Sequence, residues 1–129
     1  MSEQDIKKMN LLKNLRDNIL DFNTELVSSF PEQHDFIILR VFLENVPHDL
    51  LMSGCREYIL PHKEMILKKD DNFFLEKDDM FSMLDSSKVS HFKNLWQNKS
   101  TTKDDKDIIW SWMKRFVTIT ERYNKLCKN

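Results

Sequence analysis

Residues 103–116 read KDDKDIIWSWMKRF, in which five charged residues precede two isoleucines and two tryptophans within five positions. At about 100° of helix per residue, counted from Ile109, the apolar side chains from here onward fall on one arc of about 140°. The pattern predicts a last helix over about residues 105–125, with Trp112 in its core stripe. The stripe consists of Ile108, Ile109, Trp112, Met113, Phe116, Ile119, Tyr123 and Leu126.

Trp110 lies at the edge of this stripe, about 100° from Ile109, and Val117 lies above it two turns further along. An indole in this position either packs against a neighbouring helix, around Trp96, or contacts a partner. Because tryptophan is enriched at binding hot spots, we predict that Trp110 is partly exposed and contacts a partner protein or a second copy of the chain. The predicted contact surface consists of Trp110, Val117, Phe73 and Phe74.

The composition favours an all-α fold. The chain of 129 residues contains one glycine, Gly54, whereas tight turns between β-strands usually need several residues with positive φ. Its length and its balance of 40% hydrophobic and 32% charged residues are typical of a single globular domain, here residues 1–129. The formal net charge of −1, with both signs interspersed, gives no overall field that would attract a polyanion.

Apolar periodicity divides the first part of the chain into helices. Spacings of three and four from Ile6 to Phe30 predict a first helix over about residues 4–29. Ser29–Glu32 has the form of a capping box that includes a proline, so we expect the second helix to begin there. The apolar face of that second helix is predicted to carry Phe36, Leu39, Phe42, Leu43 and Val46.

Later segments are shorter. A third helix is predicted around Leu50–Ile59, with a break or a kink at Pro61 and a further turn at Met65–Ile66. Short helices are expected around Met80–Leu84 and Val89–Trp96. The pattern predicts an irregular bundle of five to seven helices in which the long first and last helices pack together. The residues expected in the core are Phe36, Phe42, Leu95, Trp96, Trp112 and Phe116.

No pattern predicts a catalytic, metal or cofactor site. The pairs Asp70–Asp71, Asp78–Asp79 and Asp104–Asp105 each precede an apolar run, where acidic side chains cap the amides of a helix N-terminus. The histidines are never three or four positions apart, the spacing that presents two imidazoles to zinc. One glycine is too few for a phosphate-binding loop, and Cys55 is expected to be a reduced core thiol. We therefore predict a protein that is not an enzyme and binds no cofactor.

The outer face of the last helix is basic, with an acidic residue among the lysines and arginines. Such a face is either solvated, with ordinary pairs along the helix, or it contacts phosphates. No segment approaches the roughly 18 apolar residues of a membrane span, so we expect an intracellular protein. The residues of this outer face are Lys114, Arg115, Glu121, Arg122 and Lys125.

Three stretches carry a further signal: DFNTELVSSFPEQHDF at residues 21–36, FFLEKDD at 73–79 and HFKNLWQNKSTTKDDKDIIWSWMKRFVTITERYNK at 91–125. Together they resemble a group of small helical proteins of unassigned role from large DNA viruses of eukaryotes. The resemblance implies a viral protein of the host cytoplasm or the virion and brings no catalytic residue with it. Our hypothesis is a non-enzymatic interaction protein that binds a host or viral protein. The alternative is a virion or nucleoid component that binds nucleic acid through the outer face of the last helix.

Overall fold

The chain is helical in the parts that the structure describes. A computed structural model covers residues 2–71 and 93–128, and every regular element in these ranges is a helix. The all-α fold class is therefore confirmed. The total of five to seven helices stays a prediction, because the helix expected at Met80–Leu84 lies outside the described residues. The helices are α1 (Glu3–Ser29), α2 (Asp35–Glu44), α3 (His48–Gly54), α4 (Lys63–Leu67), α5 (residues 93–97) and α6 (Lys103–Cys127).

The two long helices have the predicted bounds to within two residues at each end. Each begins with a side-chain cap. At α1, Ser2 Oγ accepts a hydrogen bond from the amide of Asp5 at 3.1 Å. At α6, Thr102 Oγ1 accepts from the amide of Asp105 at 3.1 Å, and the Asp105 carboxylate accepts from the amide of Thr102 at 3.0 Å. This reciprocal capping box fixes the start of α6 and gives Asp105 the predicted capping role.

Helix α1 ends at Ser29 and helix α2 begins at Asp35, so the predicted start of the second helix at Ser29 is wrong. The amide of Phe30 still donates to the carbonyl of Leu26, as it would in a continuing helix. Proline disfavours helical backbone in the residue before it, and Phe30 leaves the helical region at φ −129° and ψ 64°. Pro31 therefore ends α1, and a short turn leads into α2.

Helices α1 and α6 pack against each other, as predicted. Phe22 of α1 stands at the centre of this contact: its ring stacks on Trp112 with 5.9 Å between centroids and meets Phe116 edge-on at 5.6 Å. Helix α4 lies against α6 as well. Lys63 Nζ of α4 pairs with a carboxylate oxygen of Glu121 at 2.7 Å. The long pair is thus the frame on which the shorter helices are placed.

The regular α-helix is interrupted around Pro61, where a break or a kink was predicted, and the interruption takes the form of a change in helix type. Helix α3 runs into a π-helical turn, Cys55–Ile59, and then into a 3₁₀ turn, Leu60–His62, before α4. Because proline has no amide hydrogen, the regular α-helical ladder of hydrogen bonds cannot pass through it. The amide of Leu60 donates instead to the carbonyl of Cys55, five residues earlier. The chain stays helical through this segment by widening and then tightening its turns.

Two of the six residues predicted to be buried are not. Phe42 is 43% exposed, and that prediction is wrong. Trp112 is only partly buried. The error at Phe42 arises because seven of the ten residues of α2 are apolar, so periodicity does not decide which of its faces points inward. The other four residues lie in the core as predicted: Phe36, Leu95, Trp96 and Phe116.

Trp110 is 2% exposed, so the prediction that it is partly exposed is wrong. Its ring meets the ring of Trp96 edge-on, at 5.6 Å between centroids and an interplanar angle of 86°. Val117, the other α6 residue of the predicted contact surface, is also buried. The alternative, in which Trp110 packs against the helix around Trp96, is the one that the structure adopts.

The burial of the two tryptophans of α6 is the reverse of the prediction, because the helix is rotated about its axis by roughly 50° from the predicted orientation. The centre of the observed buried face is Thr120, which is fully buried and whose hydroxyl donates to the carbonyl of Phe116 at 2.6 Å. Periodicity treats threonine as polar and therefore misplaces the centre. The rotation brings Trp110 inward and leaves Ile108 38% exposed at the opposite edge. Trp112 lies near that edge, with the guanidinium of Arg115 4.6 Å from its ring centroid.

We expect the two tryptophans to contribute unequally to stability. Trp110→Ala should lower the free energy of unfolding by about 3–5 kcal/mol, because it empties a fully enclosed site. Trp112→Ala should cost clearly less, since part of that ring is already in contact with water. Urea denaturation followed by circular dichroism measures both values. Equal losses, or a larger loss for Trp112→Ala, would contradict the orientation of α6 described above.

Candidate contact surface on helix α2

The predicted contact surface is not assembled by the described residues. Trp110 and Val117 are enclosed within the chain, and Phe73 and Phe74 lie outside the described residues. A contact made by these two phenylalanines stays a prediction. The described part of the molecule exposes a different apolar surface, which lies on α2.

Four large apolar side chains of α2 are exposed on one side of the helix. The exposed fractions are 50% for Ile37, 54% for Ile38, 61% for Val41 and 43% for Phe42. Their spacing of one and four positions places them on adjacent turns of one side. Single exposed apolar residues are ordinary, but a contiguous group of them on a small protein usually marks a contact site. We use the name α2 face for the residues on this side: His34, Ile37, Ile38, Val41, Phe42 and Asn45.

The opposite side of α2 holds the helix on the bundle. Phe36 is buried, and its ring lies 6.0 Å from the ring of Phe30. The backbone carbonyl of Phe36 accepts a hydrogen bond from Nδ2 of Asn23 at 2.9 Å. Asn23 is itself buried in α1. This directed bond between α1 and α2 helps to fix which side of α2 is inward.

Arg16 of α1 secures the C-terminal end of α2. Its Nη1 donates to the carbonyl of Val46 at 2.6 Å, and its Nη2 donates to the carbonyl of Glu44 at 2.7 Å. The last carbonyls of a helix have no partner within the helix itself. Arg16 supplies donors to two carbonyls at this end and so ties it to α1.

Arg40 provides a second anchor near the middle of α2. Its Nη1 donates to the carbonyl of Leu20 at 2.9 Å and to Oγ1 of Thr24 at 2.7 Å. Its Nε donates to a carboxylate oxygen of Glu44 at 2.8 Å. The charge of Arg40 is therefore directed towards α1 and Glu44, and the α2 face itself carries no lysine, arginine, aspartate or glutamate.

The α2 face contains a shallow, open hollow. Nδ2 of Asn45 donates to the carbonyl of Val41 at 2.7 Å, which holds the amide against the helix at one end of the hollow. An apolar hollow with a polar group at its end can receive an apolar side chain of another protein. The residues that line it are Ile38, Val41, Phe42, Asn45 and Val46.

A signal for this surface was present in the sequence. Seven of the ten residues of α2, DFIILRVFLE, are apolar. A helix on the surface of a small bundle buries only one stripe, so this number exceeds what a single buried side can hold. The excess indicates exposed apolar residues, although it does not tell which side of the helix carries them.

The outer face of α6 has mixed charge. Glu121 of α6 pairs with Lys63 of α4, and Asp107 of α6 pairs with Lys69 at 3.2 Å. Arg115 lies over the ring of Trp112. The basic residues of this helix therefore share it with carboxylates that are already in ion pairs.

Metal ligands and the buried thiol can be assessed among the described residues. They contain no group of three or more His, Cys, Asp or Glu side chains arranged to hold a metal ion. Cys55 is buried, as predicted, and burial raises the pKa of its thiol to about 12, although a hydrogen bond with Thr120 acts in the opposite direction. A thiol with that pKa is almost wholly protonated near neutral pH and is a poor nucleophile.

Comparisons with models of protein families, with curated proteins and with solved structures found no match to this chain. The viral resemblance therefore stays a prediction that rests on the three stretches quoted above. Among the described helices, none is long and apolar enough to cross a membrane.

The two cysteines should differ in reactivity. Cys127 is exposed, so we expect a thiol reagent such as Ellman's reagent to modify it rapidly in the native protein. Cys55 should react only when the protein unfolds, because burial both shields its sulfur and disfavours the thiolate. Titration of one thiol in buffer and two in denaturant would agree with this. Rapid modification of Cys55 in the native Cys127→Ser variant would contradict it.

Proposed function

We propose that the protein is a non-enzymatic interaction module that binds another protein through the α2 face. The observation that carries the proposal is the exposure of Ile37, Ile38, Val41 and Phe42 as one contiguous group. The group lies on a helix that hydrogen bonds of Arg16 and Arg40 hold to α1. The largest apolar patch on a small protein is often functional. Helix-in-groove contacts between proteins commonly use apolar groups of this kind.

The exposed apolar area of the α2 face limits how strongly this face alone can bind a partner. With side-chain areas on the order of 150 Å² each, the four apolar residues expose together on the order of 300 Å². Burial of that area would stabilise a complex by about 7 kcal/mol at about 25 cal/mol per Å². The loss of translational and rotational freedom on association offsets much of this stabilisation. We therefore propose a reversible contact. Tight binding would need additional contacts made by the surfaces around the α2 face.

The resemblance gives the proposal its biological setting. A viral protein of the host cytoplasm or the virion would use such a face to bind a host or viral protein. The alternative, nucleic-acid binding through the outer face of α6, has less support. Glu121 and Asp107 place carboxylates on the same helix as the basic residues, so this face has mixed charge and is not the continuous basic surface that phosphate binding favours.

We expect Val41→Glu to abolish partner binding while the protein stays folded. Val41 is 61% exposed, so a charge there should change the melting temperature by no more than about 2 °C, but it would be desolvated in any complex. Tagged wild type and variant are compared in pull-downs from naturally expressing cells, with quantitative mass spectrometry. The amount of a genuine partner that is recovered should fall at least about tenfold with Val41→Glu.

Leu67→Glu is the matched control, because Leu67 is a 49% exposed apolar residue on α4, outside the α2 face. A partner that is retained by this control and lost with Val41→Glu would support the proposal. Loss of the same protein with both variants would move the contact away from α2. The proposal fails if no bound protein depends on Val41.

A further inference from the structure

The centre line of the α2 face has a symmetric pattern. His34, Ile38, Val41 and Asn45 follow each other at spacings of four, three and four, which is the spacing of a continuous stripe on a helix. The two inner residues are apolar and more than half exposed, and the two outer residues are polar and exposed. Read in either direction, the stripe is polar, apolar, apolar, polar. We call these four residues the α2 seam.

A stripe that reads the same in both directions complements an antiparallel copy of itself. A two-fold axis through the α2 seam between Ile38 and Val41 places Ile38 opposite Val41 of the second copy, and the reverse. The same axis places His34 opposite Asn45 of the second copy. Apolar groups then meet apolar groups at the centre, and polar groups meet polar groups at both ends.

We propose that the α2 face pairs with the α2 face of a second copy, antiparallel, about this two-fold axis. The inference rests on the proposed function, because it takes the α2 face as the contact surface. The pairing reduces the exposure of Ile37, Ile38, Val41 and Phe42 in both copies at once. Closed two-fold pairs are also the commonest form of self-association among soluble proteins.

The polar ends of the α2 seam match in hydrogen-bonding capacity. Asn45 uses its Nδ2 to donate to the carbonyl of Val41, so its Oδ1 is the group that accepts from outside the helix. The imidazole of His34 carries a ring N–H that can donate to it. A parallel arrangement would instead oppose two histidines at one end and two asparagines at the other. The antiparallel arrangement is therefore the better match.

Charge does not oppose this pairing. The α2 seam has no ionised carboxylate or basic group other than the histidine, and His34 faces an amide rather than another histidine. At the edge of the α2 face, Arg40 and Glu44 of one copy already neutralise each other at 2.8 Å. The α2 seam itself therefore brings no two carboxylates and no two basic groups together when the copies pair in this way.

The area predicts a weak pair. Two α2 faces would bury on the order of 600 Å² in total, below the roughly 1,200 Å² at which stable interfaces begin. The second copy is therefore a reversible partner that dissociates on dilution, with a dissociation constant on the order of 0.1 mM or weaker. Sedimentation equilibrium up to about 1 mM should show the average mass of the wild type rising towards that of a dimer. Val41→Glu should stay monomeric in the same range.

Cysteine pairing tests the antiparallel register. In a Cys127→Ser background, chains carrying Ile38→Cys and chains carrying Val41→Cys are given different tags, mixed and oxidised mildly. The two-fold axis opposes position 38 to position 41, so the mixed disulfide should exceed the two like disulfides together by at least about threefold. Random collision would give equal amounts. A mixture of Leu67→Cys and Val41→Cys chains provides the random background.

Each outcome decides one question. A wild type that is monomeric up to about 1 mM would overturn the pairing, and the pull-down with Val41→Glu would still judge the α2 face as a contact surface for another protein. Dimers that persist in Val41→Glu would place self-association elsewhere and overturn the pairing as well. A predominance of like disulfides would overturn the antiparallel register. Mass that rises with concentration, together with excess mixed disulfide, would establish the proposed pair.

Discussion

The burial of Thr120 at the centre of the inner side of α6 determines how that helix meets the rest of the bundle. Threonine can occupy this place because its hydroxyl donates to the carbonyl of Phe116 on the preceding turn, so its own donor is satisfied. The rotation that follows turns Trp110 onto Trp96 and leaves Trp112 between Phe22 and solvent. Both indoles are thereby used within one chain, and α6 contributes no large apolar surface for a partner.

Helix α2 is held on α1 largely by directed hydrogen bonds. Its inner side combines the buried Phe36 with hydrogen bonds donated by Asn23, Arg16 and Arg40, and its outer side carries most of its large aliphatic residues. Directed hydrogen bonds specify one orientation, whereas apolar packing alone would be satisfied by several rotations of so apolar a helix. The polar anchors therefore explain how α2 keeps Ile38 and Val41 in water. A helix held in this way has its apolar side available for another protein.

The parts of the fold that depend on local signals could be predicted from the sequence, and the parts that depend on tertiary orientation could not. Periodicity and capping residues define the two long helices, since Thr102 and Asp105 act within three residues of each other. The orientation of α6 depends on whether Thr120 is buried, which only its tertiary neighbours decide. The inward side of α2 depends on Asn23, thirteen positions before Phe36, and no pattern within α2 contains that information. The candidate surface was missed for this reason.

Self-pairing and partner binding would exclude each other, because both use the α2 face. The fraction of chains with a free face then depends on concentration, and a partner must compete with the second copy by mass action. A pair with a dissociation constant on the order of 0.1 mM leaves nearly every chain monomeric at micromolar concentration, so it costs a partner almost nothing. At high local concentration, the same pair would remove Val41 and its neighbours from water. At such concentrations, weak self-association would protect the α2 face from indiscriminate contacts without closing it to a partner that binds more tightly.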